Sequence, residues 1–181
     1  KVVDFEGDVP RSVVETMART MGSLSAKVVP ALRMISRAAG YDVEFGGFTP
    51  AGNMQGVMIG SQGKVYINPL ALHQMSITRA AKDGISYAEA YGRQFAELLV
   101  HEAAHYNVSD HGAAHNAEME RITLELGRNG FGAIIREGMA YAADKQENAL
   151  IRKMYDEALP GWQEGERRGR EAAARDGERT G

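Results

Sequence analysis

Four of the five histidines in this chain fall between positions 101 and 115, astride a turn between two stretches of helical pattern. Any fold must either scatter these imidazoles over two helix surfaces or gather them round one point. The spacing favours gathering. His101 and His105 are four residues apart, which on a helix stacks both rings on one face, roughly 6 Å apart along the axis. The segment Asn107-Val108-Ser109-Asp110 then reverses the chain, so that His111, six residues after His105, returns toward the same point at the start of the next helix. There is no cysteine, and a cation held here would have only imidazole, carboxylate or water as ligands.

The rest of the chain reads as one domain. It has 181 residues, 44% of them hydrophobic, enough to bury a core. A formal net charge of -3 provides no basic field for phosphate backbones, so nucleic-acid binding is not expected of this segment. No apolar run approaches the roughly 18 residues of a membrane span. The start, Lys1-Val2-Val3-Asp4-Phe5, has neither an initiator Met nor a signal-peptide pattern. It reads as a piece excised or processed from a larger protein, with a cytoplasmic or virion-associated location.

Along the chain, Val2 to Phe5 reads as a short strand. Val13, Val14, Met17 and Met21, then Leu24, Val28, Ala31, Leu32 and Ile35, recur at helical spacing, with Gly22-Ser23 between the runs, Pro30 as a kink and Gly40 as a stop. Tyr41 to Phe45 alternates like a half-buried strand, residues 46–53 read as loop, and Val57 to Asn68 as a hairpin turning at Gly60 to Gly63. Leu70 to Ala81 reads as a short helix or loop. Ser86 and Glu89 have capping-box spacing and open a long helix to about Tyr106. Asp110 is the expected N-cap of a helix ending near Gly127, and a last helix is expected over Ala133 to Leu159. These elements make an α+β domain over residues 1–160. Residues 161–181, dense in Arg, Glu and Gly, read as a charged flexible tail or linker.

The chemistry lies in His101-Glu102-Ala103-Ala104-His105. At this histidine content a chance match is expected on the order of 0.01 times. Three imidazoles leave a fourth position open, the arrangement of a catalytic Zn2+ site. Zinc lowers the pKa of bound water to about 7 and polarises a scissile carbonyl. Glu102, beside the first ligand, is placed to act as the general base and then to hand the proton to the leaving amine. The metal set is therefore His101, His105 and His111. His115, Asp110, Glu118 and Glu120 compete for the third place, His115 and then Glu118 ranking next, and Glu97, Asp110 or Glu118 could orient the ligand rings.

These residues resemble the zincin metallopeptidases, and the spacing His101, His105, His111 resembles their His-Glu-x-x-His-x-x-x-x-x-His subgroup. Metzincins carry Gly where this chain has Val108, and they carry a downstream Met-turn; Gly138-Met139-Ala140-Tyr141 sits instead in a helical pattern. The run His111-Gly112-Ala113-Ala114-His115, opening a helix straight after the turn, is more similar to the WLM and SprT-like minimal zincins, although His115 replaces their aromatic residue. The charged tail and compact core also resemble metallopeptidase domains embedded in phage and mobile-element proteins. The resemblance implies a small twisted sheet, the metal helix and C-terminal helices, with a polypeptide substrate paired as an added strand at a sheet edge. Lys64 to Asn68 is the expected edge strand, and Tyr106 or Tyr141 a candidate oxyanion donor. Two other functions fit the same residues: a non-catalytic zinc-stabilised docking or packaging module, and a DNA-associated protease whose basic surface lies elsewhere.

Overall fold

A computed structural model of the chain describes residues 1–180. It is α+β, with six helices and one three-stranded sheet among the described residues. Helices α1 (Arg11–Thr20) and α2 (Gly22–Ala39) follow the expected periodicity, burying Val13, Met17, Leu24, Val28, Ala31, Leu32 and Ile35. Pro30 lies inside α2, and Gly40 ends that helix in the left-handed conformation, φ 82°. None of the described helices is long and apolar enough to cross a membrane.

The first strand is displaced from its expected place. Strand β1 is Glu44–Phe48, not Tyr41 to Phe45, and it includes the Gly46-Gly47 pair expected as loop. Backbone crowding explains the glycines: a Cβ on Gly47, at φ 143°, would stand 2.1 Å from the Lys1 carbonyl oxygen. The N-terminal segment lies along β1 through one bridge, Val2 to Phe48, rather than as the expected strand Val2 to Phe5.

Strands β2 (Gly56–Ile59) and β3 (Lys64–Ile67) form the expected antiparallel hairpin. Their place in the sheet corrects an expectation. The order is β1-β3-β2, with β1 parallel to β3, so Lys64 to Asn68 supplies the central strand and β2 is the edge. Pairing with residues some twenty positions earlier fills the side of β3 that the hairpin alone would leave open.

The segment expected as short helix or loop is a full helix, α3 (Pro69–Asp83). The Asn68 side chain accepts from the Leu70 and Ala71 amides at 3.1 and 3.2 Å, and Pro69 takes the first helical position, where no amide is needed. Helix α4 (Tyr87–Ala104) starts as expected, with Ser86 Oγ accepting from the Glu89 amide at 3.1 Å.

The C-terminal boundaries also move. Helix α5 (Ala113–Ala142) opens at Gly112 with no side-chain cap, so Asp110 is not its N-cap. Gly127, at φ 67° and ψ 174°, leaves the helical conformation where the end of a helix was expected, and α5 is two helical segments joined across that kink. The next break falls at Asp144, whose Oδ1 accepts from the Gln146 and Glu147 amides at 2.9 and 3.1 Å. Asp144 and Glu147 have capping-box spacing, the signal that marks the start of α6 (Lys145–Thr180).

The change of composition after Pro160 is no break in structure: α6 continues through the expected tail to Thr180, and Gly181 lies outside the described residues. Trp162 Nε1 donates to the Pro50 carbonyl at 2.8 Å, and a Cβ on Gly52 would stand 2.4 Å from the Trp162 ring. Side chains are exposed from Glu166 through Arg179, where pairs such as Arg170–Glu166 run at one-turn spacing. Such pairs support a helix that has little to bury.

Candidate metal centre

Helix α4 buries Tyr91, Phe95, Leu99, Val100 and Ala103 in the core and is gripped by α5 at a glycine contact. A Cβ on Gly138 would stand 2.9 Å from the Gly92 Cα. This contact fixes α4 along its length and delivers His101 and Glu102 at its last turn. The helix ends at Ala104 by tightening: the His105 and Tyr106 amides bond back to the Glu102 and Ala103 carbonyls at 3.1 and 3.0 Å.

The chain then turns through Val108, whose carbonyl accepts from His105 Nδ1 at 2.8 Å. That bond places the ring proton on Nδ1 and leaves the Nε2 lone pair free. His105 Nε2 faces two other ring nitrogens, His101 Nε2 at 3.3 Å and His111 Nε2 at 3.0 Å. One in-plane lone pair cannot satisfy both as hydrogen bonds, and a shared cation can. Burial, followed by the neighbouring imidazoles, pushes His101 down to about 4; burial also lowers His105. Both rings are therefore neutral at pH 7, the form that binds a metal.

The gathering includes the fourth imidazole of the cluster. His101, His105 and His115 each offer a nitrogen within 4.8 Å of the others, close enough to hold a metal ion. His115 is buried, with Nε2 3.0 Å from the His101 carbonyl oxygen. Ring-centroid separations are 4.9, 5.2 and 4.6 Å within His101, His105 and His111, whereas His115 lies 4.0 Å from His105 and nearly parallel to it, at 24°.

Glu102 is only 4% exposed. Burial pushes its carboxyl up to about 7, partly offset by a backbone hydrogen bond from Met58. Its Oε1 is 4.0 Å from His101 Nε2. The carboxyl points toward β2, where a Cβ on Gly56 would stand 3.1 Å from Glu102 Cγ. Glu102, His105, Tyr106 and His111 line a cleft of about 440 Å³ with residues of β2. The participation of Gly56 and Met58 had no local signal in the sequence, because it depends on which strand ends up at the sheet edge.

Glu118, Glu97 and Tyr141 are engaged elsewhere. Glu118 is paired with Arg121 and lies 3.3 Å from the Tyr41 hydroxyl. Glu97 holds Arg79 at 2.7 Å. Asp110 and Glu120 are exposed, and Asp110 acts on His105 only through its charge. Tyr141 is buried beside Tyr91, its hydroxyl 3.4 Å from Glu147, and it does not line the cleft. Tyr106 does line it, stacked on Tyr41 at 4.5 Å. Comparison with protein families, with characterised proteins and with solved structures finds no match for this chain.

Proposed function

We propose that this chain is a zinc-dependent endopeptidase of minimal zincin type, with His101, His105 and His111 as metal ligands and Glu102 as general base. The observation that carries this reading is that His105 Nε2 faces the Nε2 atoms of both His101 and His111, with the buried Glu102 carboxyl beside them. Tetrahedral zinc, with Zn–N distances of about 2.0–2.1 Å, sets its ligand nitrogens about 3.3 Å apart and the imidazole centroids about 5 Å apart. The separations from His105 Nε2, 3.3 and 3.0 Å, match that requirement. So do the centroid separations of His101, His105 and His111, whereas the 4.0 Å stack of His115 on His105 is too close for two ligands of one ion. The donor set suits zinc, and although His101, His105 and His115 also lie close enough to hold an ion, these ring separations favour His111 as the third ligand.

A zinc ion held by these residues would supply Lewis acidity, making a water nucleophilic near neutral pH and polarising a scissile carbonyl. Glu102 accepts the proton of the attacking water and returns it to the leaving amine nitrogen. The Met58 amide holds that carboxyl against the cleft wall, and the missing side chain of Gly56 leaves it room there. β2 is the edge strand along the same cleft, so an extended polypeptide would bind there as an added strand, using backbone groups other than the Met58 amide that Glu102 already engages. His101 also borders a second cleft of about 220 Å³, lined by Leu72, Met75, Leu98 and Met119 together with the polar Gln94 and Glu97, which has room for a substrate side chain.

Purified protein should hold about one zinc per chain and cleave unfolded polypeptides, and Glu102→Gln should keep the zinc while abolishing cleavage. Zinc retention with no cleavage by the wild type would replace this reading with the docking module. Failure to take up zinc would remove both.

A further inference from the structure

His115 is the imidazole of the cluster that the proposed chemistry leaves without a role. In a regular α-helix the amide of residue 105 would bond to the carbonyl of residue 101, but here it is turned onto Glu102. The His101 carbonyl, on the residue that supplies the first ligand, is met instead by His115 Nε2 at 3.0 Å, reached across from the first turn of α5. An oxygen acceptor requires the proton to sit on Nε2, so this contact fixes the tautomer. The ring is 1% exposed, and its face lies against His105. One side chain thus touches the backbone of one ligand and the ring of the next.

We propose that His115 is a positioning residue for the metal centre: its Nε2–H caps the His101 carbonyl and its ring backs His105, holding two ligand imidazoles in register without ligating the ion. This rests on the zinc site proposed above. Groups that hold ligands from outside govern how well a site is organised before the ion arrives, so His115 acts on metal affinity.

The test compares His115→Gln with His115→Leu. The Gln side-chain nitrogen falls where His Nε2 does and can still donate to the carbonyl, while Leu fills the space without a donor. Zinc affinity is read by competition with a chromophoric chelator. His115→Leu should bind zinc about 10–100-fold more weakly, and His115→Gln should stay within about threefold of wild type. Equal weakening in both variants, or none in either, overturns the proposal. A long-range 1H–15N spectrum of the zinc-loaded wild type gives a second readout that survives a misfolded variant. It should show His115 protonated at Nε2 with a metal-free Nδ1, and a metal-shifted Nδ1 would make His115 a ligand and overturn the proposal. A wild type that takes up no zinc sinks the metal site and this inference together, an outcome distinct from those above.

Discussion

Gly92 of α4 and Gly138 of α5 meet backbone to backbone: a Cβ on Gly138 would stand 2.9 Å from the Gly92 Cα, and one on Gly92 would stand 2.4 Å from the Ile135 carbonyl oxygen. Alanine raises helix propensity by about 0.5–1 kcal/mol, and overpacking costs about 1–3 kcal/mol. Overpacking wins here because the obstructing atoms include backbone, which cannot swing away. Gly92→Ala should therefore lower Tm, by about 2–4 °C for each kcal/mol lost. A melting curve showing an unchanged or raised Tm would mean that the helices separate freely, and that α4 is not held by this contact.

Gly56 tests the placement of Glu102. A Cβ there would lie 3.1 and 3.2 Å from Glu102 Cγ and Oε1, and 3.0 Å from the Tyr66 carbonyl oxygen. The carboxyl has to give way by a few tenths of an ångström. Gly56→Ala should lower kcat by about tenfold with zinc content unchanged. Loss of zinc in parallel with activity would show that β2 supports the ligands rather than the base.

The choice of third ligand separates His111 from Glu118. His111→Ala should weaken zinc binding by more than the roughly 10–100-fold produced by losing an outer hydrogen-bond partner. Glu118→Gln should leave metal stoichiometry alone, because that carboxylate is held by Arg121 and Tyr41. The reverse pattern in a chelator competition would transfer the ligand role to Glu118.

His73 makes stability depend on pH. Its ring is buried, with Nδ1 2.7 Å from the Tyr87 hydroxyl of α4 and Tyr155 of α6 packed edge-on. Burial lowers its pKa below 6.5; Arg152 adds to the shift and Asp156 opposes it. The unfolded chain therefore takes up the proton first as pH falls. Stability is fully present above about 6.5 and is lost as pH drops through the lower folded value. In zinc-free protein, urea unfolding at about pH 7.5 and about pH 5 should show a smaller acid loss for His73→Asn than for wild type. His101 and His105 titrate in both proteins, so the difference isolates His73. Equal losses in the two proteins would rule out this contribution.

Much of the helical framework was legible because its signals are short-range. Ser86 before α4 and Gly40 after α2 act through bonds to residues within four positions, so the local sequence suffices to place them. The same locality would have revealed α6, since Asp144 and Glu147 carry the capping signal; the longer apolar pattern from Ala133 obscured it. Past Pro160 the helix is first held by the docking of Trp162 against Pro50 and Gly52, and from Glu166 on, where its side chains are exposed, it persists on ion pairs.

By itself the sequence determined that His101 and His105 share a helix face with Glu102 beside them, because a helical repeat leaves no other arrangement at that spacing. Only the tertiary structure decided that β3 is central and β2 the edge, that Glu102 is buried against β2, and how closely the four imidazoles approach one another. Strand order and ring orientation depend on contacts between segments far apart in the chain, such as β1 with β3 and α4 with α5. No single stretch of sequence carries the energy of those contacts, so no local pattern announces their outcome.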